Sequence, residues 1–182
     1  MGENYSSSIE EWRGRDGEHY DLLREFTFDV FNEAVDSAVR KQRDLAADLA
    51  KAERRVHGMR RDGAPPADVG RAEDRAADVK AAHEEARREK KAAFASLFAG
   101  ACAVLGGDAN GGAPAELLGR MGAADRAEWR RVCLGRIHAV GRLYRGDFSL
   151  ETVETVAEGS DVPEAVRDEV FAPLRQLEQH CG

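Results

Sequence analysis

Apolar positions recur along the first half of the chain at alternating spacings of three and four. Phe28, Phe31, Val35, Ala38, Gln42, Leu45, Leu49, Ala52, Val56 and Met59 form one such stripe. This is the period of a heptad seam, the stripe a helix turns toward a partner helix. Arg40, Lys41, Arg43, Asp44, Asp48, Lys51, Glu53 and Arg54 occupy the other faces. The pattern stops at "RRDGAPPADVG", where Gly63 offers a C-terminal cap and Pro65 and Pro66 forbid continuation. A second stripe follows: Val69, Ala72, Ala76, Val79, His83, Ala86, Lys90, Ala93, Leu97, Gly100 and Val104. Two seams joined by a short proline-containing link predict an antiparallel helical hairpin over residues 18–106. Arms of this length would each reach roughly 60 Å at the helical rise per residue. Alanine at many seam positions lets the arms approach closely.

Residues 1–17 are polar, contain Gly14 and Gly17, and read as a flexible leader. At the open end of the hairpin the pattern changes. Leu22, Leu23, Phe26, Phe28, Val30 and Phe31 begin one arm, and "AAFASLFAGACAVLGG", Ala92 to Gly107, ends the other. The second run is apolar nearly all round, which predicts burial on several sides in a globular body.

Beyond a Gly-rich linker at 107–114, the C-terminal part, 115–182, reads as a helical bundle packed on that open end. Short helices are expected at Ala115–Met121, Ala124–Tyr144, Leu150–Glu158 and Val162–Gln179. Ser149 can cap the third, and Asp161 with Glu164 can cap the fourth. Pro163 sits harmlessly at its start, whereas Pro173 is expected to break it in two. Trp129, Cys133, Ile137, Val140 and Tyr144 share one face of the long central helix. Leu150, Val153 and Ala157 line the next, and Val166, Val170, Leu174 and Leu177 the last. The expected fold is therefore all-α: a long antiparallel, coiled-coil-like hairpin joined to a small helical bundle or HEAT-like stack.

Composition narrows the classes of function. Charged residues make up 34% of the chain and aromatic residues only 7%, so solvated surface is plentiful and large core anchors are few. The apolar fraction of 42% is still enough to fold. A net charge of −7 disfavours bulk attraction to nucleic acid, and no DNA sequence readout is expected, though local basic patches leave RNA open as a ligand. Three cysteines without CxxC spacing suggest free thiols in a reducing, cytoplasmic setting. No uncharged run approaches the ~20 residues of a membrane span. Gly2 and Ser6 fit the minimal N-myristoylation pattern, but Glu3 directly after the glycine argues against it.

One segment departs from ordinary helix composition: "CLGRIHAVGRLYRG", Cys133 to Gly146. Gly135 and Gly141 each cost a helix roughly 1 kcal/mol against alanine, so something must gain from their lack of a side chain. Close approach of a neighbouring helix is the simplest account, and with Tyr144 these glycines form the candidate packing set. Arg130 and Arg131 precede Leu134, Gly135, Ile137, Gly141, Leu143 and Tyr144. The segment resembles a helix of the middle domain of eukaryotic translation initiation factor 4G (MIF4G-like) and related HEAT-type scaffolds. That family's pattern runs Leu-Gly-Asn-Ile-x-Phe-Ile-Gly-Glu-Leu-Tyr after a basic run. Arg136, Ala139 and Arg142 depart from it, and the resemblance covers only about residues 128–158. It implies a non-enzymatic adaptor within an RNA- or translation-associated assembly.

Near the hairpin turn, Arg54, Arg55, His57, Arg60, Arg61 and Arg71 make a basic cluster on an acidic protein. Most such runs are solvated faces. Arg54, Arg55, Arg60 and Arg61, together with Arg126, Arg130 and Arg131, are nonetheless the candidate partner-binding residues. His83 on the seam reads as a tolerated polar residue. The five histidines are scattered, His180-Cys181 reads as a tail, and "GGDANGG" lacks the lysine and preceding strand of a phosphate loop. No HExxH, GxSxG or zinc quartet occurs in the sequence. The expectation is no enzyme, no cofactor and no metal site. The expected function is a helical adaptor or scaffold for protein partners. The alternative is a structural coiled-coil component of a larger assembly, or a self-associating hairpin.

Overall fold

The computed structural model describes residues 29–106, 122–159 and 162–179. Five helices account for the regular structure among them: α1 at Asp29–Arg61, α2 at Pro66–Gly106, α3 at Ala123–Leu143, α4 at Leu150–Glu158 and α5 at Glu164–Gln179. The fold is all-α, with α1 and α2 forming a long antiparallel pair and a small helical cluster following. The expected leader, the Gly-rich linker, the Ala115–Met121 helix, Asp161 and His180-Cys181 lie outside the described residues. The chain divides into two compact units, one formed by Ala34–Ala93 and the other containing Phe94 onward with the residues before Ala34.

In the first unit, α1 ends as its sequence dictates. Gly63 adopts φ +71°, which an L side chain resists. Gly63 N–H then donates to Arg60 O at 3.3 Å, and Ala64 N–H to Met59 O at 2.9 Å. These two bonds are the Schellman closure, which satisfies carbonyls that the helix end leaves open. Pro66 occupies the first position of α2, where its missing N–H costs nothing.

The seam follows the heptad pattern closely. From Ala72 to Ala93 the shielded residues are Ala72, Ala76, Val79, His83, Ala86, Lys90 and Ala93, with Glu73 the one addition. On α1, Val39 joins Val35 in full burial, although it lies one place off the expected stripe. Lys41 Nζ reaches Glu89 at 2.5 Å, and Arg60 reaches Glu73 at 2.7 Å, so flanking charges bridge the two helices at two levels. These pairs fix the register.

A polar layer interrupts this seam. The Gln42 amide lies 3.0 Å from His83 Nε2, while Lys90 Nζ donates to Gln42 Oε1 at 3.3 Å. With its oxygen engaged by lysine, Gln42 turns its NH₂ toward the ring. His83 Nε2 must then accept, which places the ring proton on Nδ1. That Nδ1 is buried and makes no hydrogen bond among the described residues.

The second unit holds most of the large buried side chains. Phe94, Leu97, Phe98, Ala101, Cys102 and Leu105 of α2 are fully or nearly fully buried, as the all-round apolar run predicts. Phe148, in the turn before α4, lies 4.8 Å from Phe94 and 5.2 Å from Phe98 between ring centres. Phe98 also meets Phe171 of α5 at 5.6 Å. Trp129, Cys133, Ile137 and Val140 on α3, Leu150, Val153 and Ala157 on α4, and Val166, Val170 and Leu174 on α5 complete this core. Ser149 caps α4, its Oγ accepting from Thr152 N–H at 3.3 Å. The expected break at Pro173 does not occur: α5 runs through it without interruption. The reason lies in a contact from α3 described below.

The polar layer yields a prediction about α1 and α2. Gln42→Leu alone strands the His83 ring in the seam and should lower stability by about 1 kcal/mol. Gln42→Leu combined with His83→Leu removes both polar partners and should recover that loss or exceed it. Urea unfolding of the two variants, followed by circular dichroism, measures the difference.

Candidate functional site

The segment singled out by its glycines forms most of α3, and its residues grip α5. Proline at position 173 has no N–H to offer the carbonyl four residues earlier, which is Glu169 O. His138 of α3 fills that gap. Its Nε2 lies 3.2 Å from Glu169 O and 3.1 Å from Val170 O. The ring therefore donates its Nε2–H to a carbonyl that Pro173 leaves open, and α5 stays helical. Burial pushes the His138 pKa below the usual histidine value, partly offset by these backbone bonds, and nearby Arg142 lowers it further. The neutral ring with its proton on Nε2 is the form this contact uses.

Gly141 lies one turn further along α3. A Cβ built there would fall 2.6 Å from Leu174 Cδ2 and 3.1 Å from Leu174 Cδ1. Leu174 is itself buried, and the ends of its side chain would have to shift to admit that Cβ. The glycine is thus suited to close approach, as its cost in a helix suggested. Gly135 is half-buried. Tyr144 makes an edge contact with Phe94 at 5.8 Å.

Arg130 serves the same junction. It pairs with the Glu169 carboxylate, and its Nη1 donates to Leu105 O in the last turn of α2 at 2.5 Å. A guanidinium at this place satisfies an open carbonyl and complements the negative end of the helix dipole. Glu169 is therefore held twice from α3, through its side chain by Arg130 and through its backbone by His138.

The other predicted binding residues fall into two groups. Arg60 is committed to Glu73, Arg61 to Asp62 at 3.0 Å, and Arg131 to Glu128 at 2.5 Å. The Arg131 hydrogen bond holds the Glu128 carboxyl below its usual pKa. Arg71, from the same basic cluster, pairs with Asp68. Arg54, Arg55 and Arg126 are exposed and make no ion pair among the described residues. The structure thus keeps Arg54 and Arg55 near the turn as open cations, keeps Arg126 on α3, and turns Arg130 inward as a clamp. Sequence reasoning set His138 among scattered histidines and gave Glu169 no role. The signal that could have found His138 is a proline inside a helix, which obliges some other donor to reach the carbonyl four residues back.

Burial shapes the remaining chemistry. The Cys102 thiol is raised to about 11 and the Cys133 thiol to about 12, both chiefly by desolvation. Neither carries useful thiolate near neutral pH. Among the described residues no three His, Cys, Asp or Glu side chains are grouped to hold a metal ion, and no helix is long and apolar enough to cross a membrane. A small hollow lies beside Gly141, lined by Phe148, Leu150, Leu174 and Leu177.

Two predictions follow from the α3–α5 junction. Gly141→Ala should destabilise the protein by about 1–3 kcal/mol despite alanine's better helix propensity. Gly58→Ala, where a Cβ meets nothing within 4 Å, should instead stabilise it by up to about 1 kcal/mol. His138→Ala should cost about 1–3 kcal/mol by leaving Glu169 O without a donor. In a Pro173→Ala background the new N–H can reach that carbonyl, so the cost of His138→Ala should shrink by about 1 kcal/mol. Denaturant unfolding of the double-mutant cycle tests the coupling, and strict additivity would refute it. These arguments rest on the chain's own contacts: no family model matches its sequence, and no curated protein or solved structure matches it.

Proposed function

We propose that this chain is a non-enzymatic helical scaffold for protein partners, working within an RNA- or translation-associated assembly. The observation that carries the reading is the division of labour along α1 and α2. Between Ala34 and Ala93 their larger apolar residues lie on a single seam, and the remaining faces carry exposed charges, with Arg54 and Arg55 unpaired among the described residues. A long helix pair of this kind offers extended contact surface along its outer faces. The buried, high-pKa thiols favour a structural protein over one that uses cysteine chemistry. The association with RNA rests on the resemblance of Leu134–Tyr144 to the initiation-factor middle domain. The close contact of Gly141 with Leu174 agrees with the tight helix packing of such scaffolds. The bridges Lys41–Glu89 and Arg60–Glu73 support the second reading, a structural coiled-coil component, because they specify one antiparallel register.

Affinity capture of the full chain from lysate, with and without nuclease, tests the proposal when run beside Arg54→Glu and Arg126→Glu. Loss of a stoichiometric protein set with Arg54→Glu would assign the partner to the hairpin. Loss of nuclease-sensitive partners with Arg126→Glu would assign RNA to the helical cluster. Identical recoveries from all three proteins would defeat the reading.

A further inference from the structure

The outer charges of α1 are arranged in a way that neither the seam nor the intramolecular ion pairs require. On the face beside the seam stand Asp44, Asp48, Lys51 and Arg55, all exposed. Their spacing is four, three and four, and their signs run minus, minus, plus, plus. From Asp44 to Arg55 the stripe is symmetric in position and antisymmetric in charge about the midpoint between Leu49 and Ala50; Lys41, next along it, is taken up by Glu89. Asp48 and Lys51 pair with one another at 2.9 Å, whereas Asp44 and Arg55 make no ion pair among the described residues.

The same face of α2 repeats the segregation. Arg75 and Arg71, the latter paired with Asp68, lie toward the turn; Asp78, Glu85 (paired with Arg88) and Glu89 (paired with Lys41) lie away from it. The ladder that pairs Lys41 with Glu89 sets Arg55 across from Arg75 two heptads later. Like charges facing each other across a helix pair oppose its formation unless something anionic joins them. Within one chain Arg75 makes no ion pair among the described residues either.

We infer that two copies of this chain associate through this face, antiparallel, about a two-fold axis at the Leu49–Ala50 midpoint. In that arrangement Arg55 meets Asp44 of the second copy and Lys51 meets its Asp48, and symmetry makes each pair twice. The Arg55–Arg75 pair then faces the acidic level of Asp44 and Glu85. An extended polyanion fits this face less well, because the same acidic level would repel it beyond the first two turns. The inference rests on the reading of the hairpin as a protein-binding arm, and it names the partner as a second copy.

Sedimentation equilibrium of the full chain tests this without any other component. A dimer is expected at low salt, weakening at high salt as exposed pairs are screened. Arg55→Glu and Asp44→Arg should each weaken association about tenfold or more, since each change acts at two symmetric contacts. The swap Asp44→Arg with Arg55→Glu in one chain restores every pairing and should restore the dimer. An equimolar mixture of the two single variants should form a heterodimer for the same reason. All the altered residues are exposed, and circular dichroism confirms that each variant remains helical before it is weighed. A monomer at every concentration in low salt would overturn the inference, as would a dimer indifferent to these reversals. Neither result touches the scaffold reading, which depends on the capture experiment with Arg54 and Arg126.

Discussion

The packing of Phe94 and Phe98 against Phe148 is the contact on which the second unit depends. With aromatic residues at only 7% of the chain, large apolar side chains are scarce and must be concentrated to form a core. The structure does this in the last three turns of α2. Among the described residues, every large side chain that is fully buried, apart from Val35 and Val39, lies at Phe94 or beyond. Burying a Phe or Leu completely is worth about 1.5–3 kcal/mol, and ring pairs in offset or edge geometry add to that. The α3, α4 and α5 residues that meet this run are placed by it. Phe98 touches Phe171, Phe94 touches Tyr144, and Arg130 closes the end of α2 through Leu105 O.

The hairpin unit is built on a different economy. Val35, Val39, Ala72 and Ala86 are its buried apolar residues, and the rest of its seam is half-covered. Two helices joined by alanine-rich layers gain little from volume. They gain specificity from register, which is where the charges and the polar layer act. Exposed ion pairs such as Lys41–Glu89 contribute only about 0–1 kcal/mol each, so they select an alignment more than they stabilise it. Gln42, His83 and Lys90 act in the same sense. A slip by one heptad would part the glutamine from both partners, and the buried His83 Nδ1 already shows how little spare hydrogen-bonding capacity the layer has.

Much of this was legible in the sequence because it is periodic. The stripe from Ala72 to Ala93 matches the shielded residues nearly one for one, Gly63 takes the positive φ its position suggested, and Ser149 caps α4. These features depend on neighbours within a few residues or on a repeated spacing. What could not be read depends on where distant segments meet. Val39 and Phe171 are buried off their expected stripes because adjacent helices cover more than one face. Arg130 looked like part of a basic surface, and only the position of the α2 terminus turns it into a structural clamp. Arg60 likewise finds an acidic partner, Glu73, on the other helix.

Pro173 shows why local rules fail here in a definite direction. Its cost to a helix comes from two sources, a missing N–H and a carbonyl left open four residues earlier. The first cannot be repaired, but the second can, if a donor arrives from another element. His138 is such a donor, and it reaches Glu169 O only because α3 lies close to α5. That closeness is suited by a glycine, since a Cβ at 141 would displace the end of the Leu174 side chain. The two residues least suited to helices thus support one another across the same interface. Gly141 weakens α3 so that α5 can approach, and the approach delivers the imidazole that lets α5 tolerate proline. Neither helix has a complete account on its own terms, and the segment that looked anomalous in the sequence is half of a single arrangement whose other half lies some thirty residues on.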